Sequence, residues 1–254
     1  MPVSIEIWQG LGLIVIGCLA GFVNVMAGGG SLLSVPVMVF MGMPGPVANG
    51  TNRIAILAQN LSATLTFFKK GLSDFKLSLT LSLCAIPGAV AGAYAGSRLE
   101  GIWFNRILAL IMLGVMVIMT FRDRRGKPGP DTGEKPRNLL VGHLMMVLVG
   151  CYGGFIQLGV GFIIMAILNR VMGLDLVRVN MHKTFIIMCY TLAALVVFAW
   201  RVDILWIMGG CLAVGNAIGG WLGATCTISK GERAIKIVLN IVLTIFIIKL
   251  IFFS

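Results

Sequence analysis

From Ile7 to Asn52 the chain carries no charged residue. That is about twice the roughly 20 apolar residues a helix needs to cross a bilayer. The tract is not a plain helix, because Gly21-Phe-Val-Asn24-Val-Met-Ala-Gly28-Gly29-Gly30-Ser31 interrupts it and Pro36 follows. No water is available in the hydrocarbon core to satisfy exposed peptide groups. Broken backbone therefore occurs there only where protein buries it or where it lines a polar cavity. The Gly28–Ser31 break marks an interior working site.

Further uncharged tracts cover Ile54–Phe68, Leu77–Ser97, Ile107–Phe121, Asn138–Asn169, Thr184–Trp200, Ile204–Ser229 and Ile237–Ile248. Only 11% of the residues are charged, against about a quarter in a soluble domain. The class this predicts is an all-α polytopic membrane protein. The longest polar stretch, Arg122–Arg137, is too short for a soluble domain. A net charge of +11 would suggest nucleic acid in a soluble chain, but here the basic residues punctuate hydrophobic tracts and read as membrane orientation signals, with no nucleic-acid partner. The six cysteines lie in or beside apolar tracts without CxxC spacing, as inert buried thiols do. The first tract lacks a basic leader and runs on into the glycine break, so it does not read as a cleaved signal.

In order, the tracts predict helices over about Trp8–Ala27, Leu32–Met41, Gly50–Lys70, Phe75–Ala95 and Trp103–Phe121, with a turn at Gly42-Met-Pro-Gly-Pro46. A repeat follows. At a spacing of 131, Gly28 falls on Gly159, Gly30 on Gly161, Gly42 on Gly173, Asn49 on Asn180, Gly88 on Gly219 and Gly92 on Gly223. The division this predicts is a first transmembrane repeat over 1–125, a linker over 126–135 and a second repeat over 136–254. With the linker cytoplasmic, 15 of the 20 Lys and Arg fall on the cytoplasmic side, both termini are external, and the Lys69–Lys76 loop faces opposite to its partner near Arg201. Equivalent loops on opposite sides are the mark of inverted-topology repeats, a transporter architecture with broken or re-entrant helices near the midplane. Each half then has five crossings, or three plus a re-entrant pair. Whether Leu32–Met41 and Ile163–Asn169 span or re-enter stays open.

Broken segments present helix ends, and free N–H groups at a helix start hold anions. Gly28, Gly29, Gly30 and Ser31 suit that task, with Ser31 capping the short helix that follows and Asn24 beside it. Gln157, Gly159 and Gly161 stand at the matching place. Tight packing through small residues is the competing reading, and it is preferred for Gly88, Gly92, Gly219 and Gly223. The helix opening at Gly50 carries Thr51, Asn52 and Arg53, with Asn52 and Gln59 on one face. Its counterpart opens with Asn180, His182, Lys183 and Thr184. Arg53 and Lys183 fall within one residue of equivalence and favour an anionic substrate. They read equally as cations snorkelling to headgroups. His182 is a candidate for proton coupling.

No carboxylate lies deep in an apolar tract, where a cation or metal transporter would need one. No nucleotide-binding or metal-ligand motif occurs, so the sequence calls for no cofactor and no enzymatic chemistry. The Gly21–Ser31 run with Pro36, Gly42-Met-Pro44 and Ala48-Asn-Gly50-Thr51-Asn52 resembles the first-repeat signature of the TauE/SafE sulfite exporter family. The looser Gly161, Gly173 and Asn180-Met-His-Lys183-Thr184 resemble its second repeat. The resemblance covers nearly the whole chain.

It implies a secondary transporter in the bacterial inner membrane, an exporter of small sulfur-containing anions such as sulfite, sulfoacetate or other organosulfonates, working by alternating access. The residues alone also admit an anion channel, or a membrane assembly subunit that transports nothing.

Overall fold

The computed structural model describes residues 7–99, 103, 106, 107, 110 and 136–252. The expected helix over Trp103–Phe121 and the linker over 126–135 fall largely or wholly outside the described residues. Eight helices are described: α1 (Ile7–Met26), α2 (Ser31–Phe40), α3 (Gly45–Lys69), α4 (Phe75–Gly96), α5 (Leu139–Phe155), α6 (Val160–Ala166), α7 (Leu176–Arg201) and α8 (Trp206–Phe252). No strand occurs among the described residues.

Helix α3 shows why the bundle belongs in lipid. Asn52, Arg53, Gln59 and Asn60 are buried, while Leu61, Leu65 and Phe68 on the same helix are exposed. A soluble helix is the other way round. Leu11, Val15 and Leu19 form a similar exposed stripe on α1, as do Leu140, Leu144 and Leu148 on α5. Among the described residues four segments are long and apolar enough to cross a membrane: α1, α4, α7 and Trp206–Ile235 of α8. Helix α2 has 10 residues, about 15 Å at 1.5 Å per residue, half the roughly 30 Å hydrocarbon core. It cannot cross by itself.

Two expected boundaries move. Helix α3 begins at Gly45, because Pro46 sits in its first turn, where a missing N–H costs nothing. Helix α7 begins at Leu176, with the Asp175 carboxylate accepting from the N–H groups of Val177 and Arg178. Thr51–Arg53 and Asn180–Thr184 therefore lie one or two turns inside their helices, not at helix starts. The α8 span is broken at Gly231 (φ 59°, ψ −156°), where two helices join across a kink between the uncharged tracts that end at Ser229 and begin at Ile237.

The packing joins one half to the other. Helix α1 lies on α8, α5 lies on α4, and α3 and α7 meet between them. The two outer pairs touch in the same way. A Cβ added at Gly88 would lie 2.1 Å from Val147 O and 2.8 Å from Cys151 N, and one at Gly219 would lie 2.1 Å from Cys18 O and 2.7 Å from Phe22 N. These glycines pack helices, as the small-residue reading had it. Gly88 and Gly219 keep the spacing of 131, but Cys18 and Phe22 answer to Val147 and Cys151 at 129. After α6 the segment Ile167–Val171 winds as a π-helix. Gly28 (φ 97°), Gln157 (φ 62°) and Gly159 (φ 67°) all take a positive φ at the two breaks, as do Gly42 and Gly173 (φ 89° and 75°) beyond them.

Candidate functional site

Helices α1 and α5 both stop inside the protein, and each leaves carbonyls that have no partner in the next turn. At α1 the Val23 carbonyl accepts from the N–H groups of Ala27 and Gly28; at α5 the Tyr152 carbonyl accepts from those of Ile156 and Gln157. The later carbonyls are taken by side chains from the opposite half. Lys183 Nζ donates to Asn24 O (3.1 Å) and Val25 O (2.7 Å). Arg53 Nη1 donates to Gly153 O at 3.2 Å, and its Nη2 donates to Gly154 O. Gly153 and Gly154 stand 129 residues after Asn24 and Val25, so the two cations close equivalent carbonyl pairs. Asn49 Nδ2 takes the next carbonyl, Phe155 O, at 2.9 Å.

Both cations are interior: Arg53 is 0% and Lys183 1% exposed. Neither snorkels, and Lys183 leaves the group of 15 cytoplasmic-side charges. The Arg53 guanidinium also sits 4.4 Å over the Phe198 ring. Among the described residues no carboxylate lies within ion-pair distance of either. Lys183 has no donor to spare, since its third goes to Asn180 Oδ1 at 2.8 Å. Arg53 keeps Nε free of a partner. A helix C-terminus carries about half a negative charge. Each carbonyl end therefore offsets the cation it faces only in part.

The two breaks meet backbone to backbone. A Cβ on Gly28 would lie 2.5 Å from Gly161 C, and one on Gly161 would lie 2.5 Å from Gly28 Cα. Only glycine permits that approach, and Gly28 also has the positive φ that other residues resist. Ser31 does not cap α2, as its hydroxyl donates across the junction to Gln157 O at 3.3 Å. Asn24 ties the first break together: its Oδ1 accepts from Gly30 N (3.3 Å) and its Nδ2 donates to Gln59 Oε1 (3.2 Å). Gly29 lies under the Phe162 ring, and Gly159 (φ 67°) precedes α6. Gln157 Nε2 donates to Thr191 Oγ1 at 2.8 Å.

Not every expected residue joins this centre. Thr51 Oγ1 accepts from Leu205 N, at the turn before α8. Thr184 Oγ1 donates to Met181 O on its own helix. His182 points away from Lys183 and shares a 2.8 Å hydrogen bond with Ser78 of α4. Asn52 Oδ1 accepts from Ser34 Oγ at 2.7 Å. Sequence reading missed Ser34, Phe198 and Thr227, the last holding Asn180 Nδ2 at 3.4 Å. Ser34, one turn after Ser31 in a tract otherwise apolar, was the one signal to be found. Among the described residues five buried side-chain groups that can donate have no partner: Asn52 Nδ2, Arg53 Nε, Gln59 Nε2 and the hydroxyls of Thr64 and Tyr190.

A multi-pass helical membrane protein with two broken helices meeting at a buried cationic centre is the class these features define. The sequence profile described as Sulfite exporter TauE/SafE matches residues 13–250. A Haemophilus influenzae protein named "probable membrane transporter protein" is 27% identical, covering 88% of this chain and 87% of its own. Escherichia coli YfcA, similarly named, is 25% identical over 95% of this chain and 89% of its own, and Bacillus subtilis YunE is 26% identical over 91% and 93%. No solved structure matches the chain. The chain belongs to the TauE/SafE sulfite exporter family of membrane transporters.

Proposed function

We propose that the protein is a secondary transporter that exports small sulfur-containing anions, among them sulfite, sulfoacetate and other organosulfonates, across a bacterial inner membrane. One observation carries the reading: two fully buried cations cap helix C-termini, and among the described residues neither has a carboxylate within ion-pair distance. Buried positive charge that the helix ends offset only in part suits a small anion. The free donors of Asn52 and Arg53 are suited to an oxyanion, which accepts several N–H bonds at once. Sulfur enters from the family.

The mechanism is alternating access. The halves 1–125 and 136–254 form inverted repeats, with the 126–135 linker cytoplasmic and both termini external. The Gly28–Gly161 junction closes one route through the centre, and rocking one half against the other opens it to the opposite side. His182, hydrogen-bonded between α7 and α4, links a proton to the cycle.

The test is flux in proteoliposomes with labelled sulfite, sulfoacetate, taurine and sulfate. Saturable accumulation that one anion competes from another, and that Asn52→Ala lowers, supports a carrier. Unsaturated conductance would make the protein a channel. No binding of any of these anions would leave an assembly role.

A further inference from the structure

A cleft of about 390 Å³ opens between the C-terminal end of α3 and the middle of α8, away from the cationic centre. Its walls are Leu65 and Trp221, its polar edge is Thr66 and Thr225, and Lys69 and Lys70 stand at its mouth. The lining changes along α3 from apolar to hydroxyl to ammonium within about two turns. A membrane interface changes in the same order, from acyl chain to glycerol backbone to phosphate.

The charge at the mouth is unanswered. Among the described residues neither lysine has a carboxylate within ion-pair distance. Two nearby acids are committed elsewhere: Asp74 accepts from Leu77 N at the start of α4, and Glu232 accepts from Leu176 N at the start of α7. The apolar walls are open, with Leu65 48% and Trp221 52% exposed. The Ser62 hydroxyl, also in the lining, is turned into the bundle, donating to Ala217 O at 2.9 Å. Trp221 on such a wall offers a rigid face to an alkyl chain.

We infer that this cleft is a binding site for one anionic phospholipid, its phosphate on Lys69 and Lys70 and an acyl chain against Leu65 and Trp221. A free phosphate would use the lysines and leave the apolar walls idle. A zwitterionic lipid would bring its own cation to the lysines.

The test is fluorescence quenching of the purified full-length protein by phospholipids brominated on the acyl chain, with phosphatidylglycerol compared against phosphatidylcholine. Trp221→Phe identifies the Trp221 signal among the five tryptophans. The expected result is saturable quenching of Trp221 by brominated phosphatidylglycerol at low mole fraction. Lys69→Gln/Lys70→Gln weakens it by about 25-fold, at roughly fivefold per lysine. The tryptophans outside the cleft are quenched equally by both lipids, and millimolar glycerol 3-phosphate leaves the Trp221 signal unchanged. Equal quenching of Trp221 by the two lipids, or an unaltered affinity in the double variant, would overturn the site. Displacement by glycerol 3-phosphate would reassign it to a soluble phosphate.

Discussion

Arg53 and Lys183 make the same bond to opposite helices. Arg53 of α3 closes the carbonyl end of α5 through Gly153 and Gly154, and Lys183 of α7 closes that of α1 through Asn24 and Val25. Removing either cation strands two carbonyls in a dry interior. Hydrogen bonds to charged groups contribute about 1.5–3 kcal/mol each. Arg53→Gln and Lys183→Gln should each destabilise by roughly 2–5 kcal/mol, read as a large fall in melting temperature of the detergent-purified protein. Lys183→Arg should retain most of the stability, because a guanidinium still reaches two carbonyls.

The Gly28–Gly161 contact separates two reasons for keeping glycine. Gly28→Ala meets Gly161 backbone and a positive φ together, and Gly161→Ala meets Gly28 backbone. Both should cost more than about 3 kcal/mol or abolish folded expression. Gly42 has φ 89° but nothing within 4 Å of its added Cβ, so Gly42→Ala should cost only about 1 kcal/mol. Size-exclusion profiles and melting curves of the three variants check the ranking.

What could be read from the sequence follows the range of the signal. The first, second and fourth helices came within a residue or two of their ends, because lysine pairs and glycines mark them locally. Helix α3 was begun five residues late, because Pro46 reads as part of a turn yet serves a first helical turn equally well. The partners of Arg53 lie 100 and 101 residues away, and a backbone carbonyl leaves no residue-type signature. The cations were found as interior candidates, while their bonding as helix caps was not. The π-helical turn at Ile167–Val171 is likewise hidden, because no residue type there marks it.

Asn52 bears on transport more than on stability. Its Oδ1 is held by Ser34, and its Nδ2 is without a partner. Asn52→Ala should lower kcat/KM for the transported anion by at least about tenfold, the worth of one lost hydrogen bond of roughly 1.4 kcal/mol to a charged group. Its melting temperature should fall far less than that of Arg53→Gln. Parallel flux and melting measurements on the two variants test this.

His182 faces Ser78 and lies apart from the two capped carbonyl ends. His182→Gln should leave anion exchange between equilibrated compartments intact and remove accumulation driven by a pH gradient. Counterflow compared with pH-jump uptake in the same vesicles gives the answer. Loss of both together would place His182 in the anion site itself.

The central claim is that the two caps leave the interior with positive charge for a small anion. Uptake of labelled sulfite by proteoliposomes, at fixed pH and with the membrane potential set by a potassium gradient, tests it most directly. The account predicts saturable sulfite flux that a second small sulfur oxyanion competes, that is absent from protein-free vesicles, and that falls with Asn52→Ala. Flux that never saturates, or no sulfite binding or transport by folded protein, would contradict it.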